Sequence, residues 1–433
     1  MTLVPDASTA GAAQGGLIRR RHVIYVEGYD PQGAKGYYRL FDRSWSRFLK
    51  IWPLKSRLSE LALDSQDFAH WDVEAVGPNW QVATRYDFLR QEHIIRANMA
   101  EPLQQQIPRA LAWAFDYVIS GAIFRVLRAS PYFGLVLLYF QTMLIWWLAL
   151  AAGGGWLSAL AAMHALGLGV VASIPIGVLV AIASFLALRP LASRLFLIQI
   201  NNHWPYLCAF ARGEATCFDA PIEAGARRVL AAVRANDADE IIVVGHSGGG
   251  ALAPAVIVRA LELDPDIGRK GPPLVLVTLG SIAPGAALHP KAARLRAVFA
   301  RLAVEPSVLW IDSQSRADVL NFWNFDPVEG VGARVDGRRC NPLIWKVRFG
   351  DMLSRQFYWR IRFNFFRLHY QFIMASDRRA PYDYFLLVCG PVPVAAWARD
   401  PNGVLAAFAA DGRLAADAMP VRPSAVPLAQ GHS

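Results

Sequence analysis

Charge is what this sequence is short of. Of its 433 residues, 18% are Asp, Glu, Lys or Arg, against about a quarter in soluble domains. The shortage is local. Residues 129–188 carry none of the four, and outside that block the density returns to about a fifth, near the soluble norm. With 54% hydrophobic residues, a disordered or collagen-like chain is excluded. One uncharged block is also too little for a transporter with many spans. Cysteine is scarce as well: Cys208, Cys217, Cys340 and Cys389 are far apart, without a C-x-x-C pair. That spacing excludes a disulfide scaffold and a zinc site, and fits reduced thiols in a core. There is no G-x-x-x-x-G-K-[ST] and no G-x-G-x-x-G, so a phosphate-cradling loop is not expected.

The uncharged block reads as a transmembrane helical hairpin. Residues 132–152 and 166–188 are each long enough at 1.5 Å per residue to cross a ~30 Å hydrocarbon core. Gly153-Gly154-Gly155 opens the connection, which also holds His164 as a loop residue. Pro175, Gly167, Gly169 and Gly177 suit a helix packed closely on a neighbour. Arg125 and Arg128 precede the pair and Arg189 and Arg194 follow it, while the connection has no Lys or Arg. By the positive-inside rule the rest of the chain is expected on the cytoplasmic side, as in a bacterial inner membrane.

The formal charge of +10 is concentrated in part at 355–370, where Arg355, Arg360, Arg362 and Arg367 interleave with Phe357, Tyr358, Trp359, Phe363, Phe365 and Phe366. Beside a membrane segment this mixture suits the headgroup region, and it equally suits a solvated helix face over a core; nucleic acid is not an expected partner. Residues 1–18 and 419–433 are rich in small residues, glycine and proline and are expected to be disordered tails. The short apolar run after Arg19-Arg20-Arg21 is too brief for a secretory signal.

The remainder, 19–128 and 189–418, alternates strand-like and helix-like stretches. Strands are expected at 22–26, 80–88, 240–244, 273–279 and 307–311, with helices at 222–235, 251–263 and 291–303. This alternation predicts an α/β fold, a mostly parallel sheet with helices on both faces, interrupted by the hairpin.

Gly245-His246-Ser247-Gly248-Gly249 is a G-x-S-x-G sequence lying between the apolar run Ile241–Val244 and an alanine-rich helix. A nucleophile elbow needs this setting: a sharp strand-to-helix turn exposes the serine oxygen, and Gly245 and Gly249 leave room for it. In such folds the acid and the histidine follow the nucleophile. After Ser247 the histidines are His289, ahead of the expected acid, His369, and His432 near the chain end, which makes His369 the candidate base. Asp318, just past the strand at 307–311, is the candidate acid, with Asp326 as the alternative and Asp312 too close to the strand. The oxyanion donors expected are the backbone N–H of Gly248 and, in Glu27-Gly28-Tyr29-Asp30-Pro31, that of Tyr29.

At these residues the chain resembles the α/β-hydrolase superfamily, in particular its lipase and esterase branches. The resemblance covers about 222–370, with a thinner echo at 22–31. It departs from lipases in having Gly248 after the serine, Glu-Gly-Tyr in place of a His-Gly pair, and the inserted hairpin. The resemblance implies hydrolysis of an ester, thioester or amide without a metal or an organic cofactor. The expectation is a membrane-anchored serine esterase, with the lipid bilayer and a lipid-like acyl ester as partners. An acyl thioesterase and an inactive membrane-tethered adaptor are the alternatives.

Overall fold

The computed structural model describes residues 16–214 and 216–415. The C-terminal tail expected at 419–433, with His432, and most of the N-terminal one lie outside those residues. Ile18, expected in the N-terminal tail, is instead buried, and its N–H donates to the Pro391 carbonyl at 2.7 Å.

Among the described residues nine strands form one sheet: β1 (Arg20–Val26), β2 (Lys55–Leu58), β3 (Ala62–Leu63), β4 (Phe68–Val76), β5 (Gln81–Leu89), β6 (Glu240–His246), β7 (Leu274–Leu279), β8 (Val308–Gln314) and β9 (Leu343–Lys346). Their order is β2-β4-β5-β1-β6-β7-β8-β9, with β3 also paired to β4. From β5 to β9 all pairs are parallel, whereas β2, β3 and β5 each meet β4 antiparallel. The central strands are apolar runs because both faces are covered. Ile24, Val26, Ile241, Val243 and Leu276 face one core, while Val23, Tyr25, Ile242, Val244 and Val277 face the other.

The helices that bear on the site are α1 (Gly33–Ile51), α2 (Glu92–Ala100), α3 (Leu103–Ile119), α4 (Ala122–Ala129), α5 (Pro131–Ala165), α6 (Val170–Arg194), α7 (Leu197–Arg212), α8 (Asp219–Ala235) and α9 (Gly249–Leu263). α5 and α6 are long and apolar enough to cross a membrane, but their bounds differ from those expected. Gly153-Gly154-Gly155 does not open a loop. α5 runs through it to Ala165, placing His164 in its last turn, and the chain reverses at 166–169, where Gly167 has a φ of 66°. The glycines serve packing. A methyl group on Gly155 would stand 2.5 Å from the Gly177 carbonyl oxygen, and one on Gly177 would stand 2.8 Å from that of Gly155, so the two backbones touch there. Trp147 and Phe185 stack between the same helices at 4.5 Å.

The hairpin is rooted in the α/β body. Phe133 packs on Trp204 and Phe322, and Gln141 donates to Asn201 on α7 at 2.6 Å. At 35 residues α5 is about 52 Å long, so its rooted first turns leave ample length to protrude. α3 and α4 meet at a 74° bend beside its root and leave Phe115, Val118, Ile119 and Phe124 exposed. The Arg/aromatic stretch forms two short helices, Arg355–Ile361 and Phe365–His369. The ring of Phe366 lies 4.8 Å from that of Phe196, at the end of the hairpin.

Candidate active site

The site lies at the carboxyl ends of β1, β6, β7 and β8, where parallel sheets leave loops free to converge. Ser247 follows β6 with a φ of 59°. Left-handed backbone is costly for a residue with a Cβ. The turn is held by three hydrogen bonds: Ser247 N–H to the Leu279 carbonyl at 3.1 Å, and the N–H groups of Gly250 and Ile282 to the Ser247 carbonyl at 3.0 and 3.3 Å. It also needs its glycines. A side chain on Gly245 would collide with the Gly249 carbonyl, and one on Gly249 with the Val26 carbonyl.

His369 ends a short helix opened by Asn364, whose side chain accepts from Arg367 N–H. Its Nδ1 lies 2.7 Å from Asp318 Oδ2, and both side chains are buried. Nδ1–H therefore donates to the carboxylate. Nε2 is buried and has no partner among the described residues. Its place beside the serine turn follows from Gly280, next to the residue that accepts from Ser247: a Cβ there would stand 3.1 Å from His369 Cε1. Asp318 sits in a turn closed by Asn321, whose amide donates to the carbonyls of Ser315 and Asp318 at 2.8 and 2.6 Å. Ser130, at the root of α5, donates to the Asn321 carbonyl at 3.4 Å, so the acid's loop is tied to the hairpin.

The other two carboxylates are engaged elsewhere. Asp326, the alternative acid, caps the turn at Val328 and Glu329 and pairs with Arg339, away from the histidine. Asp312 accepts from Thr278 Oγ1 and from Gln314 Nε2, and burial pushes its pKa up to about 6. His289 pairs with Asp116 at 2.9 Å.

Glu27–Pro31 follows β1 and lies against the elbow. A Cβ on Gly28 would be 3.2 Å from Gly248 N and 3.3 Å from Ser247 Cβ. Among the described residues, neither the Gly248 nor the Tyr29 N–H donates to the protein. The loop is held from two sides: Gln199 of α7 donates to the Tyr29 carbonyl at 2.9 Å, and Tyr370 donates to Asp30 at 2.8 Å. Burial, with Asp30 and Glu92 nearby, raises the Glu27 carboxyl pKa well above its ordinary value. This favours the uncharged acid beside a place where negative charge could form.

Two histidines at the site escaped sequence reasoning. His246, inside the serine motif, donates from Nε2–H to the His369 carbonyl at 3.1 Å. Burial and the neighbouring His369 hold its pKa well below 6.5, so it is neutral. Its position in the motif was the available signal. His203 stands over Gly248, and the Asn-Asn-His-Trp-Pro sequence around it carries no motif. Among the described residues no three His, Cys, Asp or Glu side chains gather as metal ligands would. No family model matches the chain, and no curated protein or solved structure matches it either.

Proposed function

We propose that the protein is a membrane-anchored serine hydrolase that cleaves an acyl ester on the cytoplasmic face of a membrane. The observation that carries this reading is the 2.7 Å Asp318–His369 pair, whose second ring nitrogen is buried and unpartnered next to a strained, glycine-flanked serine.

In the reaction, Ser247 Oγ attacks the ester carbonyl carbon as its proton passes to His369 Nε2. Asp318 holds Nδ1–H, which sets the tautomer and stabilises the imidazolium. The carbonyl π pair moves onto oxygen, which faces the N–H groups of Gly248 and Tyr29. Collapse of the adduct expels the alcohol, which takes the proton from His369, and leaves an acyl group on Ser247. Water then repeats the cycle: His369 takes its proton, the carboxylic acid leaves and Ser247 is restored. The hairpin rooted beside the Asp318 loop, the exposed apolar bend of α3 and α4, and exposed Trp359, Phe363 and Phe365 favour a lipid-like substrate drawn from the bilayer.

A fluorophosphonate probe should label the detergent-solubilised protein and fail on Ser247→Ala; equal labelling of the two removes the catalytic reading. A series of acyl esters and acyl-CoA thioesters of rising chain length then identifies the substrate. Preference for acetyl esters counts against a lipid.

A further inference from the structure

α7 begins three residues after the hairpin ends and carries four polar side chains between Gln199 and His203. Three are engaged with the protein: Gln199 with the Tyr29 carbonyl, Asn201 with Gln141 and the carbonyls of Phe140 and Leu197, and Asn202 with the Asn98 carbonyl, Arg109 and the Tyr29 hydroxyl. The fourth is different. His203 is 5% exposed and, among the described residues, neither ring nitrogen has a partner. Burial pushes its pKa down to about 3, so the ring is neutral, with one N–H and one lone pair, both out of water.

Its location is specific. The ring stands edge-on to Tyr29, with centroids 4.8 Å apart. A Cβ on Gly248 would be 3.0 Å from His203 Cε1, 3.4 Å from its Nε2 and 3.5 Å from Gly28 Cα. The Cε1–Nε2 edge thus faces Gly248, whose N–H lies against Gly28. A buried polar group without a partner is costly to the fold and uncommon unless a ligand or water satisfies it.

We propose that His203 donates a third hydrogen bond, from Nε2–H, to the acyl carbonyl oxygen of the substrate, alongside the N–H groups of Gly248 and Tyr29. This rests on the serine-hydrolase reading above and adds to it the residue that recognises the carbonyl. The imidazole exchanges no proton. Its N–H stays in place while charge grows on the oxygen and returns to the carbonyl when the adduct collapses. The donor is thus presented by the helix that continues from the hairpin.

The test uses the full chain in detergent micelles with p-nitrophenyl butyrate. His203→Leu should lower kcat about 100-fold with KM within threefold. His203→Gln, whose side-chain N–H reaches the place of Nε2–H, should recover at least tenfold of that loss. His203→Asn, whose amide reaches only the place of Nδ1, should fall with the Leu variant and replaces it if the Leu variant does not fold. A kcat within threefold of wild type in the Leu or Asn variant, or a Gln variant no better than them, overturns the assignment while leaving Ser247 labelling intact. Wild-type protein that labels no more than Ser247→Ala overturns the hydrolase reading instead, and the assignment with it.

Discussion

The side-chain amide of Gln199 donates to the main-chain carbonyl of Tyr29 at 2.9 Å, which ties the loop facing Ser247 to the helix that follows the apolar hairpin. The junction itself is constrained: Phe196, between α6 and α7, has a φ of 58°, unusual for a residue with a bulky side chain. The Tyr29 N–H is therefore aimed by a helix rather than by the loop alone. Gln199→Leu should remove that support and lower kcat for p-nitrophenyl butyrate about 3–10-fold, with Ser247 still labelled to completion. Steady-state kinetics beside probe labelling decide it, and an unchanged kcat would mean that the Tyr370–Asp30 bond suffices.

The acid is separable from its sequence alternative. Asp318→Asn keeps the shape of the side chain but presents an amide to Nδ1–H, favouring the wrong tautomer, and should cost about 10³–10⁴ in kcat. Asp326→Asn breaks only the Arg339 pair and a turn cap, and should leave kcat within twofold. A large loss in the second variant and a small one in the first would transfer the role to Asp326.

Much of this was readable in the chain because it is local. Ile241–Val244 is a buried run, and Gly-His-Ser-Gly-Gly states its turn in glycines. His369 follows from chain order once the serine turn is granted, whereas chain order alone leaves Asp318 and Asp326 both open, and only Asp318's place just past the strand favours it. The errors are equally physical. Three consecutive glycines look like a break, yet at Gly155 the missing side chain admits the backbone of Gly177, and the helix continues. In β4 the buried Ala69, Trp71, Val73 and Ala75 alternate with the more accessible His70, Asp72, Glu74 and Val76, a period-two signal that none of the expected strands covers. β2 is a polar edge strand (Lys55–Leu58) with little apolar signal at all. His203 could not be found: what singles it out is the lack of a partner in three dimensions, and that leaves no mark on neighbouring letters.

The contact between Gly155 and Gly177 predicts where the hairpin fails. Gly177→Leu drives a side chain into the α5 backbone, and overpacking of this kind costs about 1–3 kcal/mol. Melting in detergent should fall, while Ser247 labelling below the transition persists, because the elbow is built on the sheet. A melting temperature equal to wild type would show that the two helices do not need their close approach.

Asp312 should make stability depend on pH. Its folded pKa, about 6 against an ordinary 3.8, is raised by burial, so the folded protein holds a proton that the unfolded chain releases. The stabilisation is complete below about pH 4 and is lost as pH rises through 6. About two pKa units correspond to about 3 kcal/mol. Asp383 has the same raised value, which makes the wild-type curve alone ambiguous; subtracting the curve of Asp312→Asn cancels it. The wild type should lose stability relative to that variant between pH 4 and 7, by denaturant unfolding in detergent. A flat difference contradicts the burial argument.

His203 links stability and activity with opposite signs. Among the described residues its two nitrogens have no partner; an oxygen at Nε2–H offsets that nitrogen's share of the cost, and replacing the ring with an apolar side chain of similar reach removes the cost altogether. His203→Leu should accordingly be more stable than wild type, on the order of 1 kcal/mol, while its kcat for p-nitrophenyl butyrate falls. A covalent phosphonate on Ser247, whose oxygen occupies the oxyanion position, supplies the missing acceptor, so labelling should stabilise the wild type more than the Leu variant. Four melting curves, of both proteins with and without the probe, measure the effect. If labelling raises the two proteins equally, the imidazole does not reach the oxyanion.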